Sequence, residues 1–303
     1  MNVAVGTEPS GGIPSREVAD PKGLPDFLYI GTSKAASTWL FKVLSWHPQI
    51  YMYTGKNLSF FSRNFDKGWD WYRSRFDPEP QHRVVGEVSH NYLISEDAPA
   101  RIRESLPDVK LLVCLREPVQ RTFSDYLEGI NDGKFSGTID QELKRTPGLI
   151  NKSRYGTHLA RYLEHFPRDR IYIACFDDLA PAPDKFAAGI FEFLGVDPLA
   201  IPPDLMGKVL PAGVPRARGL ASIVRKFTRL AARLGFTDVR GKMKTSPLLR
   251  SVLYRSYAQG SRPTIPPATE AYLRELMTPE IQRLDTVAGT DFCRRWNYPP
   301  PPA

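Results

Sequence analysis

The sequence predicts an α/β fold in which a central parallel sheet is flanked by helices on both faces. Continuous apolar runs recur at Phe27–Ile30, Val109–Leu115 and Arg170–Phe176, each followed within a few residues by a helical pattern. Strands that show no polar alternation belong to parallel sheets covered on both faces. Hydrophobic residues make up 42% of the 303 residues and charged residues 24%, ordinary globular values that exclude a disordered chain, a collagen-like repeat and a coiled coil. No apolar run reaches the roughly 18 residues a membrane-crossing helix needs.

Met1–Lys22 mixes Pro, Gly, Ser and acids without an apolar stretch, so residues 1–23 are expected to be a disordered leader and not a secretory signal. A soluble, cytoplasmic protein is the expectation. Phe27–Ile30 runs into Gly31 and a small-residue loop, and Thr38–Trp46 reads as the helix that follows. Val109–Leu115 is a buried strand stopped by Arg116-Glu117-Pro118, with Pro118 suited to the first turn of a helix reaching about Gly129. His158–Phe166 is helical in pattern and feeds the strand Arg170–Phe176, after which Asp184–Leu194 is a helix closed by Gly195. Pro198–Pro215 reads as loop and Pro299–Pro302 as an unstructured end. The organisation is one domain over 24–298 with a tail at 299–303 and no internal repeat. Cys114, Cys175 and Cys293 cannot all pair, and two of them sit in strand-like runs as small hydrophobes, so neither a disulfide framework nor a zinc site is expected.

The net charge of +8 is concentrated: between Arg216 and Arg250 ten Lys or Arg stand against the single acid Asp238, a local excess of +9. Within it Leu220, Ile223, Val224, Phe227, Leu230, Ala231 and Leu234 follow helical spacing, with Arg225, Lys226, Arg229 and Arg233 mostly off that stripe. Residues 216–250 are therefore read as a basic helical lid or insertion. A solvated basic face, a cover over an anionic ligand and a peripheral membrane contact through 219–234 are the alternatives. Nucleic acid is not an expected partner, because no aromatic-interleaved basic platform or zinc-finger spacing accompanies the charge.

Gly31-Thr32-Ser33-Lys34-Ala35-Ala36-Ser37-Thr38 occupies the turn between the first strand and its helix, where backbone N–H groups and the helix dipole favour an anion. Set against G-x-x-x-x-G-K-S/T, it keeps Gly31 and Thr38. Ala36 and Ser37 replace the second Gly and the Lys, and Lys34 lies three positions early. The fold is thus P-loop-like without a Walker lysine, which weakens a kinase reading. Arg116 ends a later strand and Ser124 lies in the next helix, so both are delivered to the carboxyl edge of the sheet where the first loop sits.

In these motifs the chain resembles the sulfotransferases that use 3'-phosphoadenosine 5'-phosphosulfate (PAPS) as donor and release PAP. The resemblance implies that Lys34, Ala35, Ala36, Ser37, Thr38 and Trp39 line the 5'-phosphosulfate loop and that Arg116 and Ser124 hold the 3'-phosphate. It also implies a late basic contact from Arg216 or Arg218. Further echoes follow in order: Trp46-His47-Pro48, Lys56 with Phe60-Phe61, Gly86-Glu87 with Ser89 and Tyr92-Leu93, Tyr155 with His158-Leu159, and Gly289–Trp296. Their order is most similar to the carbohydrate, heparan-type sulfotransferases and their bacterial relatives. The implied reaction is in-line transfer of a sulfuryl group to a hydroxyl, or less favourably an amine, of a carbohydrate or small-molecule acceptor.

A sulfuryl group carries one ionisable oxygen fewer than a phosphoryl group, so no metal is required. Lys34 is the cation expected at the leaving oxygen, and a base is needed at the acceptor. Many heparan-type members carry Lys-Glu-x-His-Phe-Phe, with the Glu as base, where this chain has Lys56-Asn57-Leu58-Ser59-Phe60-Phe61. Val88 likewise stands where those relatives often have Lys. Glu87, His90 and Lys56 are the candidates left for the base, and an acidic phenolic acceptor would need little help. His90 is attractive because an ordinary histidine titrates near working pH, whereas His47 reads as a helix-end residue and His158 as a packed one. The rival readings are a divergent nucleotide kinase and a non-catalytic nucleotide-binding protein.

Overall fold

The structure, a computed structural model, describes residues 24–206, 213–215, 254–256 and 263–302. Five strands, β1 (Phe27–Gly31), β2 (Ile50–Met52), β3 (Val84–Val88), β4 (Lys110–Leu115) and β5 (Ile171–Cys175), form one parallel sheet in the order β2-β3-β1-β4-β5. Phe27 pairs with Gly86 on one side and Lys110 on the other, which places β1 at the centre. All five β1 residues are buried. Their side chains alternate between two apolar layers, as strand geometry requires.

Phe27 and Tyr29, with Leu112 and Cys114 of β4, face a cluster that includes Leu40 and Val43 of α1 (Ser37–Trp46) and Ile190 and Phe191 of α9 (Pro183–Leu194). Leu28 and Ile30, with Leu111, Val113 and Leu115, face the opposite cluster, which takes in Tyr155, Leu159 and Tyr162 of α8 (Tyr155–Leu163). The expected three-layer α/β architecture is the one found. Between these elements run α2 (Phe60–Arg63), α3 (Gly68–Arg73), α4 (Ala98–Ser105), α5 (Pro118–Asn131), α6 (Ile139–Arg145) and α7 (Gly148–Asn151). Gly195 closes α9 at φ 81°, the left-handed cap its sequence position predicts. Among the described residues no helix is long and apolar enough to cross a membrane.

Two expectations need correction. The helix expected from His158 begins at Tyr155 and ends at Leu163. The segment read as loop from Pro198 contains the short α10 (Pro203–Met206) and a strand, β6 (Gly213–Pro215), which pairs antiparallel with β7 (Tyr254–Ser256). The proline tail has no regular structure, yet Gln282 Nε2 donates to the carbonyls of Pro299 and Pro300, at 3.3 and 2.8 Å.

The largest addition is a 22-residue helix, α11 (Pro267–Ala288), followed by α12 (Phe292–Arg295). Leu273, Met277, Ile281, Leu284 and Ala288 form its buried stripe. It packs closely on α8 because position 156 is glycine: a Cβ there would lie 2.3 Å from the Glu280 carbonyl oxygen. Glu280 also accepts from the Thr157 backbone N–H and hydroxyl, both at 2.9 Å.

The chain leaves β1 toward β2 on one side, while β4 and β5 lie on the other. The loops after β1 and β4 therefore diverge and open a crevice at the carboxyl edge of the sheet. The basic segment 216–250, with Arg216 and Arg218, lies outside the described residues.

Candidate active site

The loop after β1 is held from below. Tyr29 Oη, fully buried, donates to the carbonyls of Thr32 (3.0 Å) and Ala35 (3.2 Å). The Thr32 N–H donates to the Cys114 carbonyl of β4 at 3.1 Å. Lys34 and Ala36 are left-handed, at φ 70° and 57°, and so are Asn57 and Ser59 in the loop after β2, at 64° and 56°. L residues adopt that region at a cost, and such costs collect where a loop must present its backbone to a ligand.

Ala36 is the N-cap of α1 and provides no side-chain acceptor, so the first N–H groups of that helix are left to an incoming anion. The Ser33 hydroxyl is buried in the same loop without a hydrogen-bond partner. Gly31 packs so tightly on the turn after β3 that a Cβ would lie 2.8 Å from Leu93 Cβ and 3.2 Å from the His90 carbonyl oxygen.

Cations converge on this loop. Lys56 Nζ donates to Thr38 Oγ1 at 2.7 Å and to Ser37 Oγ at 3.4 Å. Arg116 Nη1 donates to the Lys34 carbonyl at 3.3 Å, and its guanidinium lies 4.8 Å from the centre of the Phe176 ring. Tyr155 Oη donates to the Arg116 carbonyl at 2.8 Å, which fixes the end of β4. Lys34 Nζ lies 3.6 Å from Glu128 Oε1 of α5.

α5 turns one face to the loop, with Arg121, Ser124, Asp125 and Glu128 at helical spacing. Arg121 is wholly buried and bonds Ser153 Oγ (2.6 Å), the Leu149 carbonyl (2.5 Å) and Asp125 (3.2 Å). Lys152 Nζ meets the same Asp125 oxygen at 2.9 Å. Burial pushes the Asp125 carboxyl up, but Arg121 and Lys152 outweigh it and hold the group below its usual value. Ser124 is part-exposed on this face, on the helix that begins two residues after Arg116.

The third wall is the end of β3. Glu87 is fully buried and accepts from three hydroxyls, Tyr72 (2.7 Å), Tyr92 (2.7 Å) and Ser89 (2.5 Å). Burial raises its pKa, and these hydrogen bonds oppose the rise. Ser89 in turn accepts the Ser59 N–H at 2.9 Å, so Glu87 braces the loop after β2 from within. His90, part-exposed, follows at the crevice. Burial and the charges of Lys56 and Lys152 lower its pKa to about 4 against the opposing pull of Glu128 and Asp125, so the ring is neutral at pH 7 and does not titrate near working pH as the sequence suggests.

The structure thus brings Lys34, Ala35, Ala36, Ser37, Thr38, Lys56, His90, Arg116 and Ser124 to one edge of the sheet. Two expected side chains face elsewhere. Trp39 is 4% exposed, donates from its indole to the Leu205 carbonyl at 2.5 Å and packs edge-on against Phe186, so its ring belongs to the core and not to a donor site. Glu87, sealed among aromatic rings, is placed to position the loop and not to meet an acceptor. Asn57 is exposed and Val88 buried, so neither supplies a base. His47 and His158 are the buried structural residues their positions predict.

Sequence reasoning missed Asp125, Glu128 and Lys152. The first two were legible, since they share a helix face with Ser124. Lys152 is brought in only by the packing of the turn after α7. Among the described residues no group of three or more His, Cys, Asp or Glu is placed to hold a metal ion.

A parallel sheet with a loop before the uncapped start of α1, an arginine at the end of β4 and a serine in the following helix defines an α/β protein whose carboxyl edge is suited to a phosphate-bearing ligand. The sulfotransferase-domain family model matches residues 24–206, and the chain belongs to that family. It is 31% identical over 184 residues to human heparan sulfate glucosamine 3-O-sulfotransferase 3B1, an alignment covering 58% of this chain and 47% of the relative. The chain therefore spans about half the length of the curated relatives it matches. A sulfotransferase from Alicyclobacillus acidocaldarius superposes with a TM-score of 0.66 at 22% identity, covering 90% of this chain and 98% of that one. Mouse sulfotransferase SULT7A1, solved in complex with PAP, gives 0.50 at 15% identity, covering 87% and 86%. Both likenesses are of fold.

Proposed function

We propose that this protein is a PAPS-dependent sulfotransferase that moves a sulfuryl group to a hydroxyl of a carbohydrate or other small acceptor, within a catalytic domain spanning 24–298. One observation carries the reading: the uncapped start of α1 and three cations, Lys34, Lys56 and Arg116, converge on a single loop. Lys34, Lys56 and the helix start suit a 5'-phosphosulfate, Arg116 is left for the donor's second phosphate, and the Ser33 hydroxyl, without a partner among the described residues, adds a donor or acceptor.

In this reading Arg116 and Ser124 take the 3'-phosphate. Lys34 meets the charge that grows on the bridging oxygen as the sulfur–oxygen bond breaks, where a pre-placed cation lowers the barrier most. Lys56, tied to Thr38 and Ser37, holds the phosphate end of the loop. His90 is neutral at pH 7 and accepts the acceptor's proton.

Calorimetric titration with PAP, beside ATP and Mg²⁺, tests the assignment. Metal-independent PAP binding that Arg116→Ala abolishes is the expected result. Binding of ATP with no binding of PAP would return the loop to a divergent kinase. Donor contact by Arg216 and Arg218, membrane contact through 219–234 and a cytoplasmic location belong to the same proposal. Loss of PAP affinity in Arg216→Ala or Arg218→Ala, vesicle sedimentation and cell fractionation test them in turn.

A further inference from the structure

The segment after α11, far in sequence from the donor loop, returns to the carboxyl ends of β4 and β5. Leu115 ends β4 and Glu117 caps α5, so Arg116 is the single residue between them and its direction depends on how those two ends are held. Glu117 uses both carboxylate oxygens: Oε2 accepts from the Gln120 N–H and Oε1 from the Tyr298 hydroxyl, each at 2.7 Å. Tyr298 is buried, and burial together with the Glu117 charge raises its pKa, so the hydroxyl stays protonated and donates. The Arg274 guanidinium of α11 lies 4.3 Å from the centre of the Tyr298 ring and donates to the carbonyls of Trp296 (3.0 Å) and Asn297 (2.5 Å). Trp296 Nε1 donates to Asp177 Oδ2 at 2.8 Å, and Arg295 pairs with Asp178. Those two acids follow Phe176, the ring on which the Arg116 guanidinium rests. One short segment thus holds both the cap beside Arg116 and the turn beneath it.

We propose that Tyr298 is a positioning residue for the donor's 3'-phosphate: through Glu117 it fixes the direction of Arg116 before a donor arrives. This rests on the PAPS-dependent reading and on Arg116 as the 3'-phosphate contact. Tyr298 acts through Glu117 and is not itself a donor contact. A guanidinium aimed in advance loses less freedom on binding than one the ligand must gather in, so the gain falls on the phosphate that Arg116 holds. A 5'-phosphate, held at the loop from Lys34 to Thr38, gains nothing from it.

Tyr298→Phe keeps the ring beside Arg274 and removes only the hydroxyl. The test is the calorimetric affinity of the unsubstituted protein and of this variant for PAP, and for 5'-AMP, which lacks the 3'-phosphate, read by its displacement of PAP. The variant should bind PAP about five- to tenfold more weakly and 5'-AMP equally well. An unchanged PAP affinity would overturn the proposal. So would equal losses for PAP and 5'-AMP, the pattern of a general loosening that a purely structural role would give. Failure of PAP to bind the unsubstituted protein, or PAP affinity that Arg116→Ala leaves intact, would instead remove the reading of the donor site itself.

Discussion

Lys34 and Lys56 reach the same loop from opposite sides, and their partners separate their roles. Lys56 donates to the hydroxyls of Thr38 and Ser37, whereas among the described residues the ion pair of Lys34 is a 3.6 Å gap to Glu128, from which it can turn to a leaving oxygen. Lys34→Ala should therefore lower turnover by about 10²- to 10³-fold and weaken PAP binding much less, a split read by comparing kcat with the calorimetric Kd. Equal losses would make Lys34 a ground-state contact. His90 sets the acid limb. A base works only while unprotonated, so kcat/KM with PAPS and an accepted alcohol should hold as pH falls and drop through about 4, and His90→Asn should abolish that limb. For Glu87 the readout is stability. Glu87→Ala leaves three buried hydroxyls without an acceptor and should cost about 3 kcal/mol or more in urea unfolding.

α5 joins the donor site to the core. Its N-cap is the Glu117 side chain, which accepts from the Gln120 N–H at 2.7 Å, and its buried face presents Arg121 beneath Ser124 and Asp125. Arg121→Met would strand the Leu149 carbonyl and leave the buried Asp125 carboxylate to Lys152 alone. A loss of about 3–5 kcal/mol is expected in denaturant unfolding, the range for breaking one side of a buried ion pair. Because Arg121 and Lys152 hold the Asp125 pKa below its ordinary value, the stability they confer is present above about pH 4 and is lost as pH falls below it. At this scale the elements differ in how plainly the sequence marks them. β1, β4, β5, α5 and α9 stand out because apolar runs, Pro118 and Gly195 mark their ends. α11 was missed although Leu273, Met277, Ile281, Leu284 and Ala288 repeat every three or four residues, since Pro279 and a polar majority interrupt the pattern.

Across the whole molecule the site is an edge property: loops after β1, β2, β3 and β4 meet where the strand order diverges, and α5 closes one side. A ligand that binds only this assembled edge stabilises the fold by mass action. PAP at about 100 times its Kd should contribute about 2.7 kcal/mol and raise Tm by several degrees, an effect that Arg116→Ala should erase in a thermal melt. The sequence by itself determined the strands β1, β4 and β5, their parallel sense and the loop from Gly31 to Thr38, because apolar runs, small residues and helix-end signals are local. It also determined that Arg116 and Ser124 share the loop's edge, since strand ends in a parallel sheet point the same way. Only the tertiary structure decided which acids and bases meet. It buried Glu87 under Tyr72 and Tyr92, turned Trp39 into the core, and set Lys56, Lys152, Asp125 and Glu128 where their charges act on His90. Those outcomes depend on burial and on contacts between segments far apart in the chain, neither of which leaves a local trace.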